Sequence, residues 1–481
     1  MIERIKRLEQ ISRQLEPDRV ERALLIDKVV EYSNSFIESI PDAPAYVSTE
    51  AKGRGLYDAP ISEEGIDIDT ALSLLRSNVD RPGINPTSAR FLGYVPGGAL
   101  FHAALGDYLA AVTNRYAGLF FAGPGAVRME NMVLKWMADI VGYPDGAAGN
   151  LTSGGSIGSL VGIVAARDWF DLQPDEIKKA VVYITEHTHH AIEKSLRIAG
   201  LKSCVTRLVA VDQNLRMDAA ALDQAINHDR KSGLRPWLVV ASAGTTNTGS
   251  VDPLATIGDI ARANQVWLHV DGAYGAFFVL CETGRAVLGG MEKSDSIVMD
   301  PHKTLFLPYG SGAILVRDGQ RLYESHHQGA DYMQDALDSI EEISPADVSP
   351  ELTKHFKGLR LWLPLKLIGV APFRAALEEK ILLTRYFYHK IREIEGFVVG
   401  PYPDLAIATY RYVPARGDAN AFNRRLVRDI QRDGRIFVSS TLLKGEFVLR
   451  LAVGVYRTHL DDINQVLALV AEKARSIEKN M

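Results

Sequence analysis

The 481-residue sequence has few cysteines and no strong excess of positive charge, and both features narrow the possible functions. Two cysteines, Cys204 and Cys281, cannot build a disulfide framework or a cysteine-rich zinc site, and they favour a reducing, cytoplasmic location. The net charge of −5 offers no general basic surface for the phosphates of nucleic acid. The sequence therefore argues against a disulfide-rich secreted domain and against a nucleic-acid-binding protein.

Long hydrophobic runs are also missing. No stretch of about 18 or more uncharged apolar residues occurs, so we expect no membrane span. The first ten residues, MIERIKRLEQ, contain no apolar segment of the kind found in secretory signals. Apolar residues nevertheless make up 47% of the chain, which is enough to bury a sizeable core.

The order of apolar and polar residues divides the chain into three predicted parts. Residues 1–85 read as an N-terminal helical arm whose apolar positions recur at helical spacing. Residues 86–372 alternate apolar strands with helical stretches, as in a large α/β domain with a mostly parallel sheet. Residues 373–481 read as a small α+β domain. The predicted strands of the large domain are Val181 to Thr185, Val205 to Val211, Trp237 to Ala243, Val266 to Val270, Ser296 to Met299 and Ala313 to Val316.

Two reactive-looking residues follow two of these strands, about thirty residues apart. Asp271 closes the strand Val266 to Val270, where a carboxylate needs a charged or hydrogen-bonded partner such as a protonated pyridine nitrogen. Lys303, in Asp-Pro-His-Lys, follows the strand Ser296 to Met299 and is a candidate nucleophile for an aldehyde. Taken singly, Asp271 could be a helix cap or structural ion-pair partner and Lys303 a surface lysine. The pair suits a cofactor held at its ring nitrogen and its aldehyde.

Two further motifs are weaker. Thr152 to Ser159 is rich in glycine and serine and precedes a helical run, so its backbone N–H groups are suited to a phosphate, although any tight loop has a similar composition. It lacks the lysine of a P-loop. His187, His189 and His190 follow another strand. They suit stacking on a planar cofactor, a metal site, or ordinary packing, and no cysteine or HExxH spacing supports the metal.

Together these residues resemble the group II amino-acid decarboxylases that depend on pyridoxal 5'-phosphate (PLP), and within them most the aromatic-L-amino-acid decarboxylases. The resemblance rests on Asp300-Pro301-His302-Lys303 and on Val270-Asp271-Gly272-Ala273-Tyr274, and it runs from about residue 60 to the C-terminus. It implies the fold of PLP-dependent transferases of fold type I, like aspartate aminotransferase. It also implies a homodimer with the active site at the subunit interface.

The resemblance implies a role for each matching residue. Lys303 would form the Schiff base with PLP, Asp271 would face the pyridine nitrogen, and Ala273 would lie under the ring. His189 would stack over the ring, and Tyr332 would protonate the substrate carbon after CO₂ leaves. The other implied positions are Gly155 and Ser156 in the phosphate loop, His302 as a phosphate contact, Thr246 near the ring, and Arg450 on a strand near the site.

The substrate is less readable than the catalytic residues. The segment Gly93 to Gly98 carries Val95 and Gly97 where the family often has an aromatic residue and a threonine. An aromatic substrate would need stacking groups, for which Tyr94, Phe101 and Phe120 are candidates. We expect decarboxylation of an L-amino acid with an aromatic side chain. The alternatives are a glutamate or histidine decarboxylase, a transaminase or lyase of the same fold, and a binding protein without turnover.

Overall fold

A computed structural model describes residues 1–328 and 342–480 of the chain. Within them, α-helices alternate with strands through the middle of the sequence, as the apolar periodicity predicts. The α-helices are α1 Ile2–Ser12, α2 Arg19–Ser39, α3 Gly55–Asp58, α4 Ile68–Leu75, α5 Phe101–Thr113, α6 Pro124–Val141, α7 Gly155–Trp169, α8 Ala191–Ile198, α9 Ala219–Lys231, α10 Leu254–Ala263, α11 Glu282–Val287, α12 Pro301–Thr304, α13 Gly319–His326, α14 Gly358–Ile368, α15 Ala371–Arg392, α16 Ala419–Asp433 and α17 Leu460–Lys479.

The strands form two larger sheets and one short pair. The strands are β1 Tyr46–Val47, β2 Gly83–Ile84, β3 Phe91–Leu92, β4 Ala148–Thr152, β5 Ala180–Ile184, β6 Val205–Leu208, β7 Arg235–Ser242, β8 Trp267–Asp271, β9 Ser296–Met299, β10 Gly312–Val316, β11 Phe397–Val399, β12 Ile407–Tyr412, β13 Phe437–Leu443 and β14 Glu446–Ala452. The seven-stranded sheet has the order β4-β10-β9-β8-β7-β5-β6, the five-stranded sheet has the order β11-β12-β14-β13-β3, and β1 pairs with β2.

The seven-stranded sheet is mostly parallel, which confirms the predicted fold class. Strands β9, β8, β7, β5 and β6 run parallel, whereas β10 is antiparallel to both β4 and β9. The run Ala313 to Val316 was predicted as a strand, but its apolar composition carries no information about direction. Strand β4 was not predicted, because Ala148–Thr152 contains Gly149 and Asn150, which have low strand propensity.

Both faces of this sheet are buried, which explains why its strands are apolar throughout. Along β5, Val181 and Tyr183 belong to one buried cluster, whereas Val182 and Ile184 belong to a second cluster on the opposite face. The first cluster includes side chains of α6, α9 and α10, and the second includes side chains of α7, α8 and α13. The sheet is therefore covered by helices on both sides.

The predicted C-terminal part contains most of the second sheet. Each pair of neighbours among β11, β12, β14 and β13 is antiparallel, and β3 joins β13 in parallel from far upstream in the sequence. Side chains of α15, α16 and α17 contribute buried apolar residues to this region. The domain boundaries at 85 and 372 stay a prediction, and Phe91–Leu92 of the predicted large domain pairs with the C-terminal sheet.

The N-terminal arm is helical, as predicted, and its first two helices lie outside the cores, whereas Ala45 packs against Phe437 of β13. Helix α2 begins at Asp18, whose side chain accepts hydrogen bonds from the backbone N–H groups of Val20 and Glu21. Neither α1 nor α2 buries a residue. Among residues 1–328 and 342–480, no helix combines the length and the apolar character needed to cross a membrane.

Candidate active site

One cavity lies at the edge of the seven-stranded sheet where β8 and β9 end. Its volume of about 280 Å³ is close to the roughly 300–1,000 Å³ typical of small-molecule sites. Open α/β sheets bind ligands at this edge, beyond the carboxyl ends of their parallel strands. Eight of the predicted site residues line the cavity: Gly155, Ser156, His189, Thr246, Asp271, Ala273, His302 and Lys303.

Asp271 is the last residue of β8, and a backbone hydrogen bond orients its carboxylate. The backbone N–H of Ala273 donates to Asp271 Oδ1 at 3.2 Å. Because Asp271 is only partly buried, its carboxylate is available to a group inside the cavity.

His189 also lines the cavity, and its hydrogen bonding defines its neutral tautomer. The backbone N–H of Ala191 donates to His189 Nδ1 at 3.2 Å, so the ring proton of the neutral form lies on Nε2. Burial lowers the pKa of His189, although the charge of Asp271 acts in the opposite direction. A neutral, flat imidazole is suited to packing against a planar ligand.

Lys303 lies beside a buried carboxylate that the sequence analysis did not assign to the site. Lys303 Nζ is 3.0 Å from Asp300 Oδ2, and the Asp300 side chain is only 2% exposed. In the part of the chain that the structure describes, Asp300 Oδ1 has no hydrogen-bond partner. The signal was present in the sequence, because Asp300 follows the apolar strand β9 just as Asp271 closes β8.

The predicted phosphate loop lies between these acidic residues and helix α7. A Cβ atom on Gly155 would lie 2.9 Å from Ala273 Cβ and 3.0 Å from Asp300 Oδ2, so only glycine fits there. Helix α7 begins at Gly155, and the first N–H groups of a helix have no partner within it. Together with the helix dipole, these groups form a cradle for an anion.

His302 packs against the same loop. Its Nδ1 contacts the carbonyl oxygen of Ser311, so Nδ1 carries a proton and donates a hydrogen bond to that oxygen. Burial lowers the pKa of His302. Nε2 is then the ring atom left for a partner in the cavity.

Thr246 lines the cavity, whereas Arg450 acts on it indirectly. Arg450 Nε donates to the carbonyl oxygen of Asn247 at 2.8 Å, and its Nη2 donates to the carbonyl oxygen of Thr246. Burial lowers the pKa of Arg450 to about 10, which leaves the guanidinium charged at neutral pH. Arg450 therefore holds the backbone that carries Thr246, and its donors are committed to that backbone and to Ser439 Oγ.

The segment Gly93 to Gly98 approaches the site through its backbone. A Cβ atom on Gly97 would lie 2.6 Å from Phe306 Cα and 2.7 Å from the His302 carbonyl oxygen. Glycine at this position therefore has a packing reason next to the Lys303 helix. The three aromatic candidates are not among the lining residues: Tyr94 and Phe101 are exposed, and Phe120 is buried in the core.

Tyr332, the predicted proton donor, lies outside the described residues. In the part of the chain that is described, no group of three or more histidine, cysteine, aspartate or glutamate side chains is arranged to hold a metal ion. The rings of His189 and His190 lie 4.1 Å apart, centroid to centroid.

The cavity fits the chemical groups of PLP. It brings together an amine for the aldehyde, a carboxylate for the ring nitrogen and a glycine-lined helix start for the phosphate. The close contacts around Gly155 leave backbone N–H groups, not a side chain, at the phosphate end. The donor set therefore matches PLP at each of its three attachment points.

Comparisons with known proteins agree with this chemistry. Residues 56–413 match the family described as "Pyridoxal-dependent decarboxylase conserved domain". An aromatic-L-amino-acid decarboxylase of Bacillus atrophaeus is 33% identical over 94% of this chain and 94% of its own length. A phenylacetaldehyde synthase of Arabidopsis thaliana is 28% identical over 85% of this chain and 86% of its own.

Solved structures show the same architecture. The crystal structure of Oryza sativa TDC with PLP and tryptamine superimposes with a TM-score of 0.91 at 26% identity, covering 96% of this chain and 99% of that one. The predicted fold type is therefore confirmed. The chain belongs to the pyridoxal-dependent decarboxylase family and is a PLP-dependent amino-acid decarboxylase.

Proposed function

We propose that this enzyme converts an L-amino acid with an aromatic side chain to the corresponding amine and CO₂. The observation that carries the proposal is the cavity itself, in which Lys303 and Asp271 lie together with His189. Among the described lining residues, the cationic or ionisable bases are Lys303, His189 and His302, and there is no arginine. An acidic side chain would lack a guanidinium partner there, which disfavours a glutamate substrate. The name of the Bacillus relative supports an aromatic substrate.

Each attachment point of the cofactor has a proposed partner. Lys303 would attach PLP through its amine, and Asp271 would bind the ring nitrogen and keep it protonated. Ala273 and His189 would pack on the two faces of the ring. When bound, PLP supplies the electron sink for cleavage of the bond to the carboxylate. The chain's own contribution is orientation and charge.

The phosphate would be held by the start of α7. Gly155 and Ser156 would present backbone N–H groups, and the Ser156 hydroxyl adds a donor. Because Nδ1 of His302 already donates a hydrogen bond to Ser311, the neutral ring has no proton on Nε2. A hydrogen bond between Nε2 and a phosphate oxygen therefore requires a further proton, either on Nε2 or on the phosphate. The backbone N–H groups of the loop bind the phosphate without this requirement.

Asp300 would hold the side-chain amine of Lys303 in position. Its carboxylate lies 3.0 Å from Lys303 Nζ, close enough to orient that amine toward the cavity.

The proton donor to the substrate carbon decides between two products. Tyr332 matches the tyrosine that the family resemblance assigns to this step, and its presence favours an amine product. The phenylacetaldehyde synthase relative makes an aldehyde-forming reaction the second candidate. We expect Tyr332→Phe to reduce amine formation sharply. Unchanged amine formation would show that Tyr332 is not the donor.

We also infer that the enzyme works as a homodimer. Helix α5 presents a row of exposed apolar side chains, and the two arm helices bury nothing within the chain. Exposed apolar surface of this extent marks a protein interface. The α5 side chains are Phe101, Leu105, Tyr108, Leu109 and Val112, which are 39–65% exposed. A monomer at micromolar concentration in light scattering would contradict the dimer. We further propose a cytoplasmic location, supported by the two free cysteines.

A product screen tests the proposed function. The purified enzyme with PLP would be incubated with each common L-amino acid, and amine, aldehyde, keto acid and CO₂ would be measured together. We expect equal amounts of amine and CO₂ from aromatic amino acids, and none from Lys303→Ala. Keto acid without CO₂, or turnover of glutamate alone, would overturn the proposed reaction or the proposed substrate, respectively.

A further inference from the structure

A second group of charged side chains lies at the edge of the seven-stranded sheet opposite the active site. Asp295 precedes β9 and Arg317 follows β10, whereas Asp300 and Gly312 lie at the other ends of these two strands. Strands of four to five residues rise by about 3.3 Å per residue, so the two edges are roughly 15 Å apart. The charged group is therefore separate from the PLP cavity.

This edge contains two adjoining cavities that share the same arginines. The first has a volume of about 560 Å³ and is lined by Arg262, Arg317 and Arg321 together with Asp295 and Asp318. The second has a volume of about 400 Å³ and is lined by the same three arginines and by aromatic residues. The two cavities form one groove in which three guanidinium groups meet two carboxylates.

One of the three arginines is held rigidly. The Cζ atom of Arg321 lies 3.6 Å from the ring centroid of Trp169 and 5.6 Å from that of Trp267. Its Nε atom also donates to Asp318 Oδ2 at 3.0 Å. Stacking and the ion pair fix the guanidinium plane, so little side-chain entropy is lost when it binds a ligand.

Among the described residues, the other two arginines have neither a ring contact nor an ion pair within 4 Å, although their charges lie near Asp295. Within residues 1–328 and 342–480, the ion pairs in this groove that involve an arginine are those of Arg321. Arg262 and Arg317 line both cavities and donate no side-chain hydrogen bond there. Their guanidinium groups therefore present unused donors to the groove.

The two carboxylates, Asp295 and Asp318, already accept hydrogen bonds from backbone N–H groups. Asp295 Oδ2 accepts the backbone N–H of Leu268 at 2.8 Å, and burial raises the pKa of Asp295. Asp318 caps α13 by accepting the backbone N–H of Gln320 at 3.2 Å. Since three arginines face two aspartates, the groove keeps a positive charge.

We propose that this groove binds a small molecule through a diphosphate group. Guanidinium groups pair with phosphate oxygens through two parallel N–H donors. A single phosphate would occupy one such fork, whereas a diphosphate has oxygens for both Arg262 and Arg317, which line the same two cavities. The half-exposed indole of Trp169, in the second cavity, lies where a planar ring attached to the diphosphate would pack.

Calorimetric titration of the holoenzyme tests this proposal. PLP is kept saturating, so that phosphate binding at the cofactor site does not contribute. Pyrophosphate and ADP are titrated separately at low ionic strength, because screening weakens exposed charge pairs. We expect saturable binding of both to the unmodified enzyme. Equal affinities for pyrophosphate and ADP would mean that the diphosphate alone is recognised. Tighter binding of ADP would indicate that its ring also contacts Trp169.

Substitutions locate the binding site. Arg317→Gln and Arg262→Gln should each weaken the Kd at least tenfold and leave decarboxylation without the ligand unchanged. Arg425→Gln is the matched control, because Arg425 is an exposed arginine on α16, and it should bind normally. Absence of saturable binding, or binding that both groove substitutions leave unchanged, would overturn the proposal.

Discussion

A buried ion pair beneath the active site offers a sharp test of the energetics of this fold. Lys354 Nζ lies 2.7 Å from Glu130 Oε1, and both side chains are 0% exposed. Lys354 also donates to Asn150 Oδ1. Asn150 belongs to β4, two residues before Thr152, where the phosphate loop begins. The pair therefore joins α6, β4 and the segment before α14 under the cofactor site.

Removing the lysine should be costly because the buried carboxylate of Glu130 loses its ion-pair partner. In Lys354→Met, Glu130 would retain one long contact, from the backbone N–H of Leu151 at 3.4 Å. Its Oε2 atom has no partner within the described residues even with lysine present. Leaving one charge of a buried pair uncompensated costs about 3–5 kcal/mol. We expect a loss of that size in the free energy of unfolding.

A double-mutant cycle separates this charge effect from the loss of packing. Glu130→Gln removes the charge but keeps the shape, so the double variant Lys354→Met/Glu130→Gln buries no unpaired ion. We expect the double variant to recover at least about 2 kcal/mol relative to Lys354→Met. Urea unfolding of the holoenzyme gives these values, with circular dichroism and tryptophan fluorescence monitored together to establish a single transition.

Lys390→Met is the control for this cycle. Lys390 pairs with Glu393 at 2.8 Å on an exposed helix surface, so its removal should leave stability unchanged. A loss of less than about 1 kcal/mol in Lys354→Met would refute the reasoning. So would a double variant as unstable as the sum of the two single variants, because the charges would then not be coupled.

Two further perturbations test the environment of the cofactor. Burial lowers the pKa of His269 to about 4, from 6.5, so the unfolded chain takes up this proton first as the pH falls. The stability that neutral His269 provides is complete above pH 6.5 and is lost towards pH 4, by about 3 kcal/mol. His269→Gln should flatten urea-derived stability over this range, and curves parallel to the unmodified enzyme would contradict the assignment. Gly155→Ala should weaken PLP binding at least tenfold in equilibrium dialysis, because its Cβ would lie 2.9 Å from Ala273 Cβ. Gly125→Ala, with nothing within 4 Å of the added atom, should bind PLP normally, and normal binding by Gly155→Ala would argue against the cradle.

The presence of Asp271 and Lys303 in one cavity was predictable because both lie at the carboxyl ends of apolar strands. Strands β8 and β9 are parallel neighbours in the sheet. Parallel neighbours end at the same edge, so both side chains reach the same cavity. The same logic applies to Asp300, which the sequence analysis left without a role.

Other features depend on packing that leaves no local pattern. The antiparallel direction of β10 follows from its connection to β9 through the short α12, and its apolar run is the same in either direction. Gly97 reads as a departure from the family, whereas in the structure it is required by backbone contact with Phe306. Strand β3 has two residues and joins a sheet formed more than 300 positions later. Such contacts join distant segments, so neither periodicity nor spacing reports them.

Arg450 shows why the second sheet belongs to the active site. This arginine is 4% exposed and has no carboxylate partner among the described residues; its donors reach two carbonyl oxygens and Ser439 Oγ. Ser439 in turn donates to the carbonyl oxygen of Gly93 at 2.7 Å. Burying a guanidinium costs free energy unless its donors are hydrogen-bonded. The need to satisfy these donors therefore holds the carbonyl groups and Ser439 in place around Arg450. It connects Thr246, which lines the cavity, through β14 and β13 to the segment that ends beside Lys303. The position of the C-terminal sheet therefore sets the geometry of both the cofactor pocket and the segment at its border.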